Sequence, residues 1–78
     1  MLISEQIRAA RGLVRWSARE LAEKAGLSLP TIQRIEASDG IPSTSAKTLH
    51  AIQHALESAG VVFIAGNGGG PGVRLRKG

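Results

Sequence analysis

The sequence predicts an all-α core of about four helices, followed by a short C-terminal extension of two strands. Three observations lead there. Ser4, Ser17 and Ser28 each stand just before a run with apolar residues at helical spacing, the pattern of an N-capped helix. Gly26 and Gly60 stand where two such runs end. After Gly60 the period changes: VVFI (61–64) is β-branched and aromatic, and VRLR (73–76) alternates apolar with basic residues.

The first helix is expected from Glu5 to about Leu13, capped by Ser4, with the Glu5 charge favoured by the helix dipole. Ile3, Ile7, Ala10 and Val14 form its buried stripe, and Arg8, Arg11 and Arg15 lie elsewhere around it. Ser17-Ala-Arg-Glu20 is a capping box that starts the second helix, and Trp16 before it can staple onto Leu21. That helix runs from about Ala18 to Ala25. Gly26 takes the left-handed position that stops it, with Leu27 supplying the apolar contact that accompanies such a stop.

Ser28 caps the third helix, Leu29 to about Ala37, and Pro30 falls in its first turn, where the missing N–H is harmless. Two helices joined by a short glycine-containing turn make a helix-turn-helix arrangement. SDGIPSTS (38–45) is a loop of turn formers. The fourth helix spans about Ser45 to Ala59, with Leu49, Ile52, Leu56 and Ala59 inward and Lys47, His50, His54 and Glu57 outward. GNGGGPG separates the two strands and is too long for a two-residue hairpin turn. A lone ribbon is marginal in water, so the strands must pack on the helices or pair with those of a second chain. Residues 1–60 thus read as the helical domain and residues 61–78 as its extension.

Seventy-eight residues are few for a self-sufficient core, a size at which a second subunit often helps. Without cysteine, disulfides, thiolate metal sites and cysteine nucleophiles are excluded. MLISEQIRAAR has no apolar signal core, and no stretch approaches the ~18 apolar residues of a membrane span, so a soluble, cytoplasmic protein is expected, with no membrane partner. The net charge of +4 suggests an anionic partner, but its distribution matters more. Residues 1–72 hold seven Lys/Arg against six Asp/Glu, and residues 73–78 hold three Lys/Arg and no acid. The body is therefore nearly neutral, and any nucleic-acid contact must depend on where its charges sit.

At about 100° per residue, Ile32 and Ile35 share the buried face of the third helix, and Pro30, Gln33, Arg34 and Ala37 share the opposite one. Leu29 and Thr31 flank it. If this face enters a major groove, Leu29, Pro30, Gln33 and Arg34 are the candidate base contacts. Arg34 matches the O6 and N7 acceptors of guanine, Gln33 can bond an adenine edge, and Leu29 and Pro30 offer apolar contact. Ser17, Arg19, Ser28, Thr31, Ser43, Thr44 and Lys47 are candidate phosphate contacts, being hydroxyls and cations near helix starts.

Ser17-x-x-Glu20-Leu21-Ala22, Gly26-Leu27-Ser28, Thr31-Ile32, Ile35-Glu36, Pro42-Ser43 and Thr48-Leu49 occur in that order. With them the chain resembles the Cro/C1-type helix-turn-helix family, also called XRE-like, over about residues 3–60. The resemblance implies a lambda-repressor-like bundle of four or five helices that binds operator DNA as a symmetric dimer. It also implies that Arg11 pairs with Glu36, tying the first helix to the third. Three departures stand out: Ala18 where many relatives carry glutamine, Leu29 and Pro30 where many are polar, and acidic Asp39 in a loop that is often basic.

Other signals are weaker. His50 and His54 have metal-pair spacing, but Ala51 stands where a general-base glutamate belongs, and no third ligand is evident. The glycine run lacks the Gly-Lys-Ser/Thr of a phosphate loop. There is no catalytic constellation, so no enzyme, cofactor or metal is expected. Arg74, Arg76 and Lys77 can meet phosphates or guard an exposed strand edge. The leading expectation is a sequence-specific transcriptional regulator, a repressor, binding double-stranded DNA as a homodimer through Val61, Val62, Phe63 and Ile64. The alternative is a protein-interaction module, such as an antitoxin-like partner, that masks another protein with its VVFI and VRLR strands.

Overall fold

The computed structural model describes residues 2–66 and 68–76. Four helices come first, α1 (Ser4–Leu13), α2 (Ala18–Ala25), α3 (Leu29–Ala37) and α4 (Ala46–Ser58), and then β1 (Val61–Ile64) and β2 (Gly72–Leu75). This is the helical bundle with a strand extension that the sequence predicts. The core holds Ile7 and Ala10 of α1, Leu21 of α2, Ile32 and Ile35 of α3, Ile52 and Leu56 of α4, and Val61 of β1. Burying each large aliphatic side chain contributes about 1.5–3 kcal/mol, so the bundle is held chiefly by this cluster.

Local chemistry sets the helix limits. In α2, Ser17 Oγ accepts from Glu20 N–H at 3.1 Å while Ser17 N–H donates to the Glu20 carboxylate at 3.0 Å, the expected capping box. Gly26 stops the helix at φ 69°, and Leu27 N–H donates back to the Ala22 carbonyl at 2.9 Å. Ser28 and Ser45 cap α3 and α4 by accepting from Thr31 and Thr48 N–H.

The start of α1 differs from expectation. Ser4 does not cap it; Ile3 occupies the N-cap position, and its N–H donates to Gln6 Oε1 at 3.1 Å. Ser4 is instead fully buried inside the first turn and bonded to α3. The local signal, a serine ahead of an apolar run, is overridden because a buried hydroxyl must find its partner across the core.

The strands pair with each other, antiparallel, with Val61 opposite Leu75 and Ile64 opposite Gly72. The second strand begins at Gly72, one residue earlier than expected, because buried Gln6 fixes that end of the ladder. Its Nε2 donates to the carbonyls of Ile64 at 3.2 Å and Gly72 at 3.0 Å, bridging both strands to α1. The ribbon is packed on α1 and α4, which resolves its marginal stability within one chain. Val61, Phe63 and Val73 turn toward the core, and Ile64 and Arg74 are exposed.

Candidate nucleic-acid interface

α2 and α3 pack together, with the Gly26–Ser28 turn between them. On α3, Ile32 and Ile35 are buried, whereas Pro30, Gln33, Arg34 and Ala37 are exposed and Leu29 and Thr31 are half-buried. Helical periodicity therefore divides this helix as the 3.6-residue repeat requires. With its side chains an α-helix is about 10–12 Å across, which suits the ~12 Å width of a B-DNA major groove.

The C-terminal end of α3, just past Arg34, is bound into the molecule by α1. Ser4 Oγ donates to the Ile35 carbonyl at 2.7 Å, and Arg8 Nη1 donates to the carbonyls of Glu36 and of Ser38, the latter at 2.9 Å. The Ile35 and Glu36 carbonyls lie in the last turn, beyond the reach of the helix's own i+4 N–H groups. Arg11 grips Glu36 through Nε and Nη2, with N–O distances of 2.9–3.1 Å, and its Nη1 donates to the Trp16 carbonyl at 2.9 Å. Glu36 is nearly buried, and its hydrogen-bonded carboxylate raises the Arg11 pKa above the ordinary value, so the guanidinium stays charged. One guanidinium thereby joins α3 to the turn between α1 and α2.

Arg34 has a different environment. Its Nη1 donates to the Ser43 carbonyl at 2.9 Å, which holds the exposed guanidinium against the loop after α3 and leaves its remaining donors uncommitted among the described residues. The structure thus brings Arg34 and Ser43 together. Ser28 and Thr31 also meet, their hydroxyls 2.8 Å apart at the start of α3. Ser17 is occupied as a cap, Thr44 is half-buried in the loop, and Arg19 and Lys47 are exposed in the first turns of α2 and α4. Among the described residues neither Arg19, Arg34 nor Lys47 has an ion-pair partner.

Sequence reasoning missed Ser4, Gln6 and Arg8 as supports of the site. A signal existed for two of them: Ser4, Arg8 and Arg11 recur at i, i+4 and i+7, a polar stripe beside the apolar one. Asp39, 3.8 Å from Arg8, forms an exposed and therefore weak ion pair. His50 and His54 both lie exposed on α4. No group of three metal-ligating side chains occurs among the described residues. Of the tail cations, Arg74 and Arg76 are exposed, and Lys77 lies outside the described residues. No helix among the described residues is long and apolar enough to cross a membrane.

Two short helices joined by a tight turn, the second presenting a free face and anchored from behind, define a helix-turn-helix DNA-binding domain. Residues 7–58 match the family model described as helix-turn-helix, and the chain belongs to that Cro/C1-type, XRE-like family of DNA-binding transcription regulators. No curated protein matches the chain.

Proposed function

We propose that the protein is a sequence-specific repressor that reads the major groove with α3 as a homodimer. The observation that supports this reading is the division of α3. Its inner face and C-terminal end are fixed by the core and by α1, while Pro30, Gln33 and Arg34 stand on the exposed side with half-buried Leu29 at its flank. Arg34, oriented by Ser43, offers guanine its free donors; Gln33 offers an amide; Leu29 and Pro30 offer apolar contact. Ser17, Arg19, Ser28, Thr31, Ser43, Thr44 and Lys47 supply backbone contacts, each weak alone and together setting the register. In this reading residues 1–60 carry DNA recognition, residues 61–78 extend it, and a bound dimer represses by covering its site.

For the dimer, Val61 is used inside the chain's own core and Phe63 packs against it, which leaves Val62 and Ile64 as the outward pair on β1. Ile64 and Leu75 are large apolar side chains left exposed, 38% and 48% respectively, on a ribbon of only two strands. The same feature supports the second reading, in which the ribbon docks another protein as in an antitoxin-like complex. Converting Val62 and Ile64 to lysine separates the two from a monomeric regulator. Loss of the dimer by light scattering supports self-association, and an unchanged mass overturns it.

The DNA reading is tested by selecting duplexes from a random pool and measuring binding over a salt series. A steep salt slope, with Arg34→Ala costing about 1–3 kcal/mol on the selected site, is the expected result. Shallow, sequence-blind binding that is indifferent to Arg34→Ala would overturn it.

A further inference from the structure

Two helices of this chain stop in the same way with different residues. At the end of α2, Gly26 adopts φ 69°, its N–H donates to the Glu23 carbonyl at 3.3 Å, and Leu27 N–H donates to the Ala22 carbonyl at 2.9 Å. At the end of α1, Arg15 adopts φ 60°, its N–H donates to the Gly12 carbonyl at 3.2 Å, and Trp16 N–H donates to the Arg11 carbonyl at 3.1 Å. Both are Schellman stops, whose left-handed position suits glycine because a Cβ there crowds the backbone. Arg15 is the sole non-glycine with positive φ among the described residues. Glycine would serve the turn better, so the turn does not account for the arginine.

Packing does not account for it either. Arg15 is exposed, and among the described residues its side chain makes no hydrogen bond and no ion pair. Its backbone is placed firmly, because Arg11 spans from the Glu36 carboxylate on α3 to the carbonyl of Trp16, the next residue along. A positive charge thus stands on a turn that Arg11 ties to the proposed recognition helix, three residues before α2 begins its course toward Arg19.

We propose that Arg15 contacts a DNA phosphate beside the groove that α3 enters, and that this contact is what retains a side chain where the backbone favours glycine. The inference rests on the groove reading above. Backbone strain at a residue with no structural duty is the observation that leads to function here. The contact is to phosphate rather than to a base, since it lies on the flanking turn and not on the helix that fits the groove. It therefore adds affinity without sequence preference.

The test uses full-length Arg15→Gly, Arg15→Asn and Arg15→Lys, each titrated with a selected duplex and with a random duplex between 50 and 200 mM salt. The glycine and asparagine variants are expected to bind both duplexes more weakly by the same factor. Their log–log salt slopes should be shallower by about 0.9, so the deficit shrinks about threefold across that range. The lysine variant should keep the wild-type slope. Arg15→Gly should also melt about 2–5 °C higher than wild type, which a role in holding the turn would not produce. Wild-type slopes in both neutral variants, a lysine variant as shallow as glycine, or a glycine variant that melts no higher would each overturn the inference. Failure of the underlying reading shows differently: wild type would bind without salt dependence, or Arg34→Ala would leave the preference for the selected duplex intact.

Discussion

The C-terminal end of α3 is held by another helix, whereas its N-terminal end is held by itself. Ser4, Arg8 and Arg11 of α1 all bond to Ile35, Glu36 or Ser38. At the other end the Ser28 hydroxyl accepts from Thr31 N–H at 3.3 Å and meets the Thr31 hydroxyl, a cap made from local chain alone. The difference separates two tasks within nine residues. Stability is concentrated where α3 meets α1, and the face turned away from α1, which runs from Pro30 to Arg34 in the last turn, stays open to a partner.

Breaking the held end should therefore cost most. Glu36→Ala leaves the partly buried Arg11 guanidinium without its carboxylate, and a loss of about 2–3 kcal/mol is expected in urea unfolding, somewhat below a fully buried pair because Arg11 retains exposure. Ser4→Ala removes one of two hydroxyl donors to the Ile35 carbonyl, Ser38 being the other, and should cost about 1–2 kcal/mol. At the self-held end, Ser28→Ala removes one cap and should cost about 1 kcal/mol. If Ser28→Ala destabilised as much as Glu36→Ala, the contrast between the ends would disappear.

The smallest expected effect is a pH dependence. Glu5 accepts from its own backbone N–H and from Gly40 N–H at 3.0 Å, and these bonds, in that order, place its carboxyl below the usual range. A carboxyl depressed on folding stabilises above its unfolded value and loses that contribution as pH falls through the folded one. Thermal midpoints of Glu5→Gln should accordingly fall less between neutral pH and pH 3 than those of wild type. Parallel curves for the two proteins would remove Glu5 from the account.

Much of this arrangement was legible in the sequence because it is local. The Ser17 and Ser28 caps, the Gly26 stop and the Ile32–Ile35 face follow from spacing within a few residues, and the structure has each in place. What stayed hidden is tertiary or conformational. Ser4 looks like a cap until the fold brings the Ile35 carbonyl to it, 31 residues away. Gln6 sits within one turn of α1, yet the acceptors of its amide N–H groups are in the ribbon, so nothing nearby hinted at the ladder it pins. Arg15 takes a conformation that a sequence marks only when the residue is glycine. Whether Leu29, Pro30, Gln33 and Arg34 touch bases depends on a molecule beyond the chain. That part of the site rests on exposure and chemistry.

The division of labour along α3 is tested most directly by the specificity ratio, the affinity for a selected duplex over that for a random one, in Arg34→Ala beside Ser4→Ala. Both would be measured at a temperature where each is folded. Arg34→Ala is expected to unfold within about 0.5 kcal/mol of wild type yet lose most of the ratio, while Ser4→Ala keeps the ratio and loses stability. A ratio unchanged in Arg34→Ala would contradict the account, because the open face of α3 would then not be the face that reads DNA.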